Sequence, residues 1–478
     1  MDKDTQIALG IEGWAAEDVP ANGPILTSFP GNSAVPTQEA WTATFQSKGL
    51  RTSKDPFTEA SVGSFNHINS VDPATKERSY AATAYYHPVK DRENLVVITG
   101  ANVEKILFHT QSSGEIKANV VQYRHNGEVQ TVTAIKEVIL AAGAFQSPKI
   151  LELSGIGNSE LLTKHGIEVV KDLPGVGENL QDHLVCGVSY KAVDSLETLD
   201  ALARQEPEAI GQAMQEYATN RTGLLTSTGI DAYAYLPVLD HGSGLGQERL
   251  LNLIRENRPP ETDRAAQAVY SLASKALLDQ ASPSGAYLPF RAQDGLPVDL
   301  SWCPKSPTGT SPGKFVTITV LLSNPISRGS VHIRSGDPAD APIIDPAYLS
   351  NPVDVEILAE HLLQIEKIAA SEPFSSKILA QPLQRRNPAA DLKGDLDHAK
   401  RLARTSSISM WHPGGACAML PLELGGVVDS SLRVYGVRGL RVVDSSMMPL
   451  VSNANLQSLV YGVAEKAADL IKKEWEQI

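Results

Sequence analysis

The run Glu137-Val138-Ile139-Leu140-Ala141-Ala142-Gly143 constrains the fold more than any other stretch of the chain. Its apolar residues are consecutive and not alternating, so neither face is marked for solvent. This predicts a strand buried on both faces, as in a parallel sheet covered by helices. The small residues Ala141–Ala144 then let a ligand or another backbone approach closely. The stretch Gly143–Gly157 predicts a glycine turn followed by a helix that starts at Ser147 or Pro148 and stops at Ser154-Gly155. A helix N-terminus at a strand end favours an anion, although a plain βα unit packed by glycine fits the same pattern. A second strand of this style, Leu440-Arg441-Val442-Val443-Asp444, ends in an acid.

The remainder alternates between two styles. Residues 17–60 are rich in Pro, Gly, Ser and Thr and read as an extended surface segment with one helix near Thr37–Lys48. Leu95–Ile98, Val103–Phe108, Ala118–Tyr123 and Val129–Ile135 are short β-rich runs, and the turns Ser113-Gly114 and Asn126-Gly127 make the last three a meander. Amphipathic helical runs follow around Leu199–Tyr217 and Gln247–Gln280. Phe315–Leu322 and Gly329–Arg334 read as antiparallel strands, Val353–Ala370 as a long helix and Leu459–Lys473 as a closing one. At 478 residues the chain exceeds one ordinary core. The predicted fold class is therefore mixed α/β: a parallel-sheet domain (77–183 with 405–478) interwoven with a domain of antiparallel sheet plus helices (17–76 with 184–404).

The charge balance narrows the function. Forty-two basic residues against 55 acidic ones give −13, which argues against a nucleic-acid partner and against an anionic membrane surface. No run of about 18 apolar residues is present. Cys186, Cys303 and Cys417 are scattered without disulfide or zinc-like spacing, so no metal is expected. Cys417 lies near His412 but has the character of a small buried residue. Met1-Asp2-Lys3-Asp4 is not a signal peptide, and no compartment is indicated.

Two polar turns carry the chemistry. Trp411-His412-Pro413-Gly414-Gly415 fixes a histidine in a stiff turn, and Ser452-Asn453-Ala454-Asn455 opens a helix some forty residues later. Converging on one point, they would work on a proton together. Both also serve as plain structural turns on this reading.

Longer motifs resolve the choice. Gly143–Gly157 closely resembles the second signature of the glucose-methanol-choline (GMC) flavoprotein oxidoreductases. Leu173-Pro174-Gly175-Val176-Gly177-Glu178-Asn179-Leu180-Gln181-Asp182-His183 looks like the same family's PGVGxNLQDH run. Glu77-Arg78-Ser79-Tyr80, Ser327-Arg328-Gly329-Ser330-Val331 and Gly426-Val427-Val428-Asp429 match in order, so the resemblance runs from about Asn22 to the C-terminus. It implies an FAD-dependent enzyme that oxidises a CH–OH group of a small-molecule alcohol, in the style of fungal aryl-alcohol-type and secondary-metabolite members. His412 resembles the family's active-site base, and Asn455 stands where members carry a second His or an Asn. A base within reach of the hydroxyl is needed before hydride can leave the carbinol carbon, and a near-neutral imidazole suits it. An amide orients the developing alkoxide without proton transfer. For the cofactor, the resemblance implies contacts from Val103, Trp411, Asp444, Ser445, Leu456 and Gln457, with Asp444 equally readable as an N-cap. His183 is expected to tie down a loop. Tyr233, Tyr235, Phe290 and Trp302 are readable either as pocket walls or as core.

The sequence departs from the family at one motif. Gly155-Ile156-Gly157-Asn158-Ser159-Glu160 and Gly175-Val176-Gly177-Glu178-Asn179-Leu180 both lack the third glycine of G-x-G-x-x-G, and neither follows an apolar strand. The Gly-Gly-Ser-Ser-rich loop of the first family signature is not found either. Met1–Pro20 resembles the family's segment downstream of those motifs, which implies an N-terminal FAD portion upstream or supplied by another polypeptide. The competing reading is a flavin-free relative, acting as a binding protein or a non-redox acid–base catalyst, or a truncated gene model.

Overall fold

The computed structural model describes residues 23–29, 36–50, 62–110, 112–238, 246–293 and 311–476. Strand β1 (Gly63–Asn66) precedes a meander of β2 (Asn102–Thr110), β3 (Ile116–His125) and β4 (Glu128–Thr133), followed by β5 (Val138–Leu140). Next come β6 (Leu184–Lys191), β7 (Ala232–Leu236), β8 (Gly285–Phe290), β9 (Phe315–Leu322), β10 (Ser330–His332), β11 (Ile343–Asp345), β12 (Ile408–Ser409) and β13 (Leu440–Val442). Four helices position the site: α1 (Pro36–Ser47), α2 (Gly143–Leu153), α3 (Pro352–Ala369) and α4 (Leu456–Glu476).

An antiparallel six-stranded sheet, in the order β1-β7-β8-β9-β6-β12, forms the larger layer. Its strands alternate strictly. Val316, Ile318, Val320 and Leu322 of β9, Ala232 and Ala234 of β7, and Leu184, Cys186 and Val188 of β6 share one core with Val353, Ile357, Leu358, Leu362 and Ile365 of α3. The period of two puts one apolar set on each face of a pleated strand, and the β-branched residues suit that surface. Helix α3 starts cleanly because the Asn351 side chain accepts the Val353 N–H at 3.0 Å and Pro352 occupies a position whose N–H has no helical partner. The opposite face gathers Phe65, Val185, Tyr233, Ala286, Leu288 and Leu321. His183, one residue before β6, falls by alternation on this second face, and there the candidate site is built.

A second core joins the meander, α2, α4 and the β5–β13 pair. Those two strands are parallel, Val138 opposite Leu440 and Leu140 opposite Val442. Leu140, Ile150, Leu151, Val442, Met447, Leu456 and Ala467 pack together inside it. A mixed α/β fold with antiparallel sheets, as expected, is what these elements make.

Several local expectations are corrected. β5 is not buried on both faces: Ile139 is 47% exposed, because among the described residues β5 pairs only with β13 and the packed helices leave that face uncovered. Leu95–Ile98 forms no strand, having no ladder partner among the described residues, and Val96 is 77% exposed. Gly329–Arg334 supplies β10, which pairs with β11 and not with β9. Helix α2 begins at Gly143, a turn before Pro148, because Asp444 Oδ2 accepts the Gly143 N–H at 2.9 Å and Ser147 Oγ accepts that of Ala142 at 3.1 Å. The long amphipathic runs are split, Pro207 opening Pro207–Asn220 and Pro259-Pro260 separating Gln247–Glu256 from Arg264–Leu278. Helix α1 lies where predicted, but not as a surface feature, since Trp41 and Phe45 are fully buried. Trp302, Cys303 and much of 17–60 lie outside the described residues.

The PGVG segment is clamped by His332 on β10. Its Nδ1 bonds Glu152 of α2 at 2.7 Å and its Nε2 bonds Glu178 at 3.1 Å. The hydrogen bond to Glu152, then that to Glu178, raises the His332 pKa to about 9 against the opposing effect of burial. A histidine whose folded pKa lies above its unfolded value, roughly 6.5, stabilises the fold fully below that value and loses the contribution as pH rises through about 9. The gap in urea midpoint between wild type and His332→Ala is therefore expected to be wide at pH 6 and to narrow by pH 10. An equal gap at both values would refute this linkage.

Candidate active site

The site is assembled by two segments distant in sequence. Asn179–His183 runs antiparallel to Met410–Gly415: Gln181 N–H donates to Gly414 O, Gly414 N–H to Gln181 O, both at 2.9 Å, and Met410 N–H to His183 O at 2.8 Å. β12 continues this pairing into the large sheet, with Ser409 opposite Leu184. Side chains lock the ends. Gln181 Nε2 donates to Pro449 O at 3.1 Å, and Gln181 Oε1 accepts from Val451 N–H at 3.3 Å. Gly415 sits at φ +94°, where a Cβ would lie 2.4 Å from Asn179 O, so only glycine permits this approach.

Asp182 fixes the histidine turn from below. Its carboxylate accepts the His412 N–H at 2.9 Å, the Ser409 hydroxyl at 2.5 Å and the Tyr348 hydroxyl at 2.5 Å. Between Ser409 and His412, Trp411 adopts φ +57°, a conformation that costs a bulky residue about 1–3 kcal/mol and persists only when its surroundings over-determine it. Here they do, since Trp411 N–H donates to Ser409 Oγ at 2.8 Å and the next N–H is held by Asp182.

The His412 ring meets a second imidazole. His183 Nδ1 and His412 Nδ1 lie 2.9 Å apart, and His183 Nε2 lies 3.2 Å from Ser323 O. The rings stand edge-on, at 86°. Burial lowers the His412 pKa against the opposing charge of Asp182. Burial, and then the neighbouring His412, lowers that of His183 to about 3, while the Ser323 and Ser452 carbonyls oppose the shift. Both imidazoles are consequently neutral at pH 7, as a proton acceptor must be. His183 does more than tie down a loop: its ring is bonded to that of the candidate base.

The second polar turn reaches the same place. The Ser452 carbonyl acts on His183, and a Cβ on Gly414 would sit 3.4 Å from Val451 Cγ1. The Asn455 Nδ2 donates to the Tyr233 hydroxyl at 3.3 Å, and among the described residues its buried Oδ1 has no hydrogen-bond partner. Tyr233 projects from the second face of the sheet, stacked on Phe65 at 6.0 Å and edge-on to His67 at 4.9 Å. Burial lowers the His67 pKa to about 4 against the opposing Asp231. Sequence reasoning passes over Asp182 and His67 and reads Tyr233 either as a pocket wall or as core. For Asp182 a signal existed, because it adjoins His183 in the motif. Among the described residues no His, Cys, Asp and Glu group is arranged to hold a metal, and no helix is long and apolar enough to cross a membrane.

The residues named for a cofactor divide into two groups. Asp444 is engaged within the chain, its Oδ1 accepting from Ser446 N–H at 2.8 Å and its Oδ2 from Ser147 Oγ at 2.5 Å and from the Gly143 N–H; it is an N-cap that also ties β13 to α2. Leu456 is buried in the core. Gln457 accepts from Ser70 Oγ at 3.1 Å, and Ser445 Oγ donates to Pro413 O at 2.9 Å. Val103 lies on β2, an edge strand with a bulge between Val103 and Lys105. Trp411 is 56% exposed. Room for a bound group is left at three points: among the described residues Asn455 Oδ1 lacks a partner, Ala141 and Ala142 are exposed at the end of β5, and a Cβ on Gly143 would meet nothing within 4 Å.

Loss of the Asp182 carboxylate is expected to free the histidine turn. Asp182→Ala removes the acceptor of three hydrogen bonds, and hydrogen bonds to a charged group contribute about 1.5–3 kcal/mol each. Because bonds that share one acceptor do not add in full, chemical denaturation should show a loss on the order of 3–5 kcal/mol, and an unchanged midpoint would show that the carboxylate does not hold the turn.

Comparison with known proteins places the chain in a family. Two family models described as GMC oxidoreductase match, one over residues 20–185 and the other over 325–464. The dehydrogenase mpl7 of Monascus purpureus is 34% identical over 473 residues, spanning 95% of this chain and 72% of the relative. A GMC oxidoreductase family protein of Malassezia sympodialis is also 34% identical, over 94% of this chain and 68% of that protein. Among solved structures, an FAD-dependent oxidoreductase from Chaetomium thermophilum superposes with a TM-score of 0.85 at 27% identity, covering 99% of this chain and 78% of that one. A fungal aryl-alcohol oxidase gives 0.76 at 25% identity, covering 95% and 73%. The paired His412 and Asn179–His183 segments thus stand in a chain that belongs to the GMC oxidoreductase family.

Proposed function

We propose that this oxidoreductase acts on the CH–OH group of a small-molecule alcohol with FAD as cofactor, His412 taking the hydroxyl proton and Asn455 orienting the oxygen. The observation that carries this reading is the state of His412. Its ring is half-buried and neutral, it is bonded through Nδ1 to His183, and among the described residues no group bonds Nε2.

FAD, when bound, would supply an acceptor for the carbinol hydrogen together with both electrons of its C–H bond. The chain does the rest. His412 Nε2 accepts the O–H proton as the carbonyl forms, and a base in this role typically contributes about 10²–10⁴-fold. Asn455 is held by Tyr233. Its Nδ2 donates one hydrogen to that hydroxyl at 3.3 Å, and the second N–H is left for the alkoxide. Phe65, Tyr233, Tyr235 and Phe290 line one face together, which suits an alcohol with a flat apolar body. The likeness to a fungal aryl-alcohol oxidase points the same way.

For the cofactor itself, Trp411, Ser445, Gln457 and the edge of β2 at Val103 are the residues assigned to hold it, with the start of α4 at Leu456 contributing backbone. Asp444 acts one step removed, by fixing the end of β13 against α2. We assign residues 77–183 and 405–478 to the cofactor side, and 17–76 and 184–404 to the substrate side.

Protein incubated with FAD and passed through gel filtration is expected to keep a flavin spectrum, and the flavin band to bleach anaerobically with a benzylic or aliphatic primary alcohol. His412→Ala should slow bleaching by about 10²–10⁴-fold and Asn455→Ala by roughly 10²-fold, with flavin retained in both. A folded protein that ignores FAD, or a flavin-loaded one that no alcohol bleaches, would overturn the proposal.

A further inference from the structure

Two ring nitrogens that face each other across a hydrogen bond share a single proton, one donating and the other accepting. The 2.9 Å contact between His183 Nδ1 and His412 Nδ1 therefore has a direction, and His183 sets it. The carbonyls of Ser323 and Ser452 both act on His183, and the one in hydrogen-bond geometry, Ser323 O at 3.2 Å from Nε2, only accepts, so Nε2 carries a hydrogen. A neutral imidazole has one N–H, and burial together with the adjacent ring keeps His183 neutral far below pH 7. Its Nδ1 is thus a bare acceptor, and the shared proton sits on His412 Nδ1.

We propose that His183 is a positioning residue that fixes the proton of His412 on Nδ1 and leaves Nε2 as the bare lone pair offered to the substrate hydroxyl. The inference rests on the reading of His412 as the base. It gives the three residues of the Gln181-Asp182-His183 motif separate roles, since Gln181 pairs the backbones, Asp182 holds the His412 amide and His183 orients the ring. Without a bonded Nδ1 the imidazole would rotate and exchange tautomers, and the one with hydrogen on Nε2 takes no proton there. A leucine would fill the fully buried His183 position without the cost of desolvating a polar ring, so packing alone does not explain an imidazole there.

The test is long-range proton–nitrogen NMR on the full chain labelled with ¹⁵N-histidine, the His412 signals being identified by their loss in His412→Gln. At pH 7 His412 should show a pyrrole-type Nδ1 and a pyridine-type Nε2, and His183 the reverse. His183→Leu should let the Nε2–H form of His412 become a major species. His183→Asn, which places an amide oxygen near the lost Nδ1, should restore the original pattern and still reports if the leucine variant fails to fold. In alcohol oxidation, His183→Leu should lower kcat roughly 10- to 100-fold with little change in KM, and His183→Asn should recover much of it. A hydrogen on His412 Nε2 in the wild type, or an unaltered His412 tautomer in His183→Leu, would overturn the proposal. The expected tautomers in a protein that oxidises no alcohol would instead overturn the functional reading and leave the role of His183 standing.

Discussion

The antiparallel pairing of Asn179–His183 with Met410–Gly415 is the constraint on which the rest of the site depends. It is short, yet it joins the two sequence motifs that carry chemistry and does so with backbone bonds at Gln181–Gly414 and Met410–His183. Through β12 it is anchored to the large sheet, and through Gln181 to the segment before Asn455. Buried backbone groups of a turn must find partners, and here the partner strand brings Asp182 and His183 with it. A turn of glycines and proline alone would leave His412 free to move; pairing converts it into a fixed element.

Electrostatics then sets the state of the fixed ring. His183, His412 and His67 all lie where burial disfavours the charged form, and each has its pKa lowered. Asp182 opposes this for His412 only, while its carboxylate is occupied by the turn amide and two hydroxyls. The result is a neutral acceptor ring beside a carboxylate whose hydrogen bonds are satisfied. Elsewhere the same chain uses the opposite setting. His332, between two glutamates, is held charged and serves structure.

The sequence made a large part of this legible. The strand read at Phe315–Leu322 and the long helix read at Val353–Ala370 lie within a residue of β9 and α3, because long apolar runs are local signals. The apolar run at Val138–Leu140 predicted a strand with a parallel partner, which β13 supplies. It did not predict the exposure of Ile139, since coverage of a face depends on which elements pack there. Leu95–Ile98 has strand propensity but no partner among the described residues, and propensity without a ladder makes no strand. At the site, the turns at His412 and Asn455 left a plain structural reading open, and the family resemblance supplied their proposed roles. His183 was legible as a residue but not as a contact to His412: the two lie 229 positions apart, and no local pattern encodes a register between distant segments. Asp444 shows the converse, a strand-end acid whose three hydrogen bonds all stay within the chain.

Amide hydrogen exchange tests the central claim most directly. If the pairing of the two segments holds His412, the amides of Gln181, Met410, His412 and Gly414 should exchange as slowly as those of β6 and β9 in the sheet core, opening only with global unfolding. Fast exchange at these four amides, with β6 and β9 still protected, would show that the histidine turn is not held by its partner segment and would contradict the account.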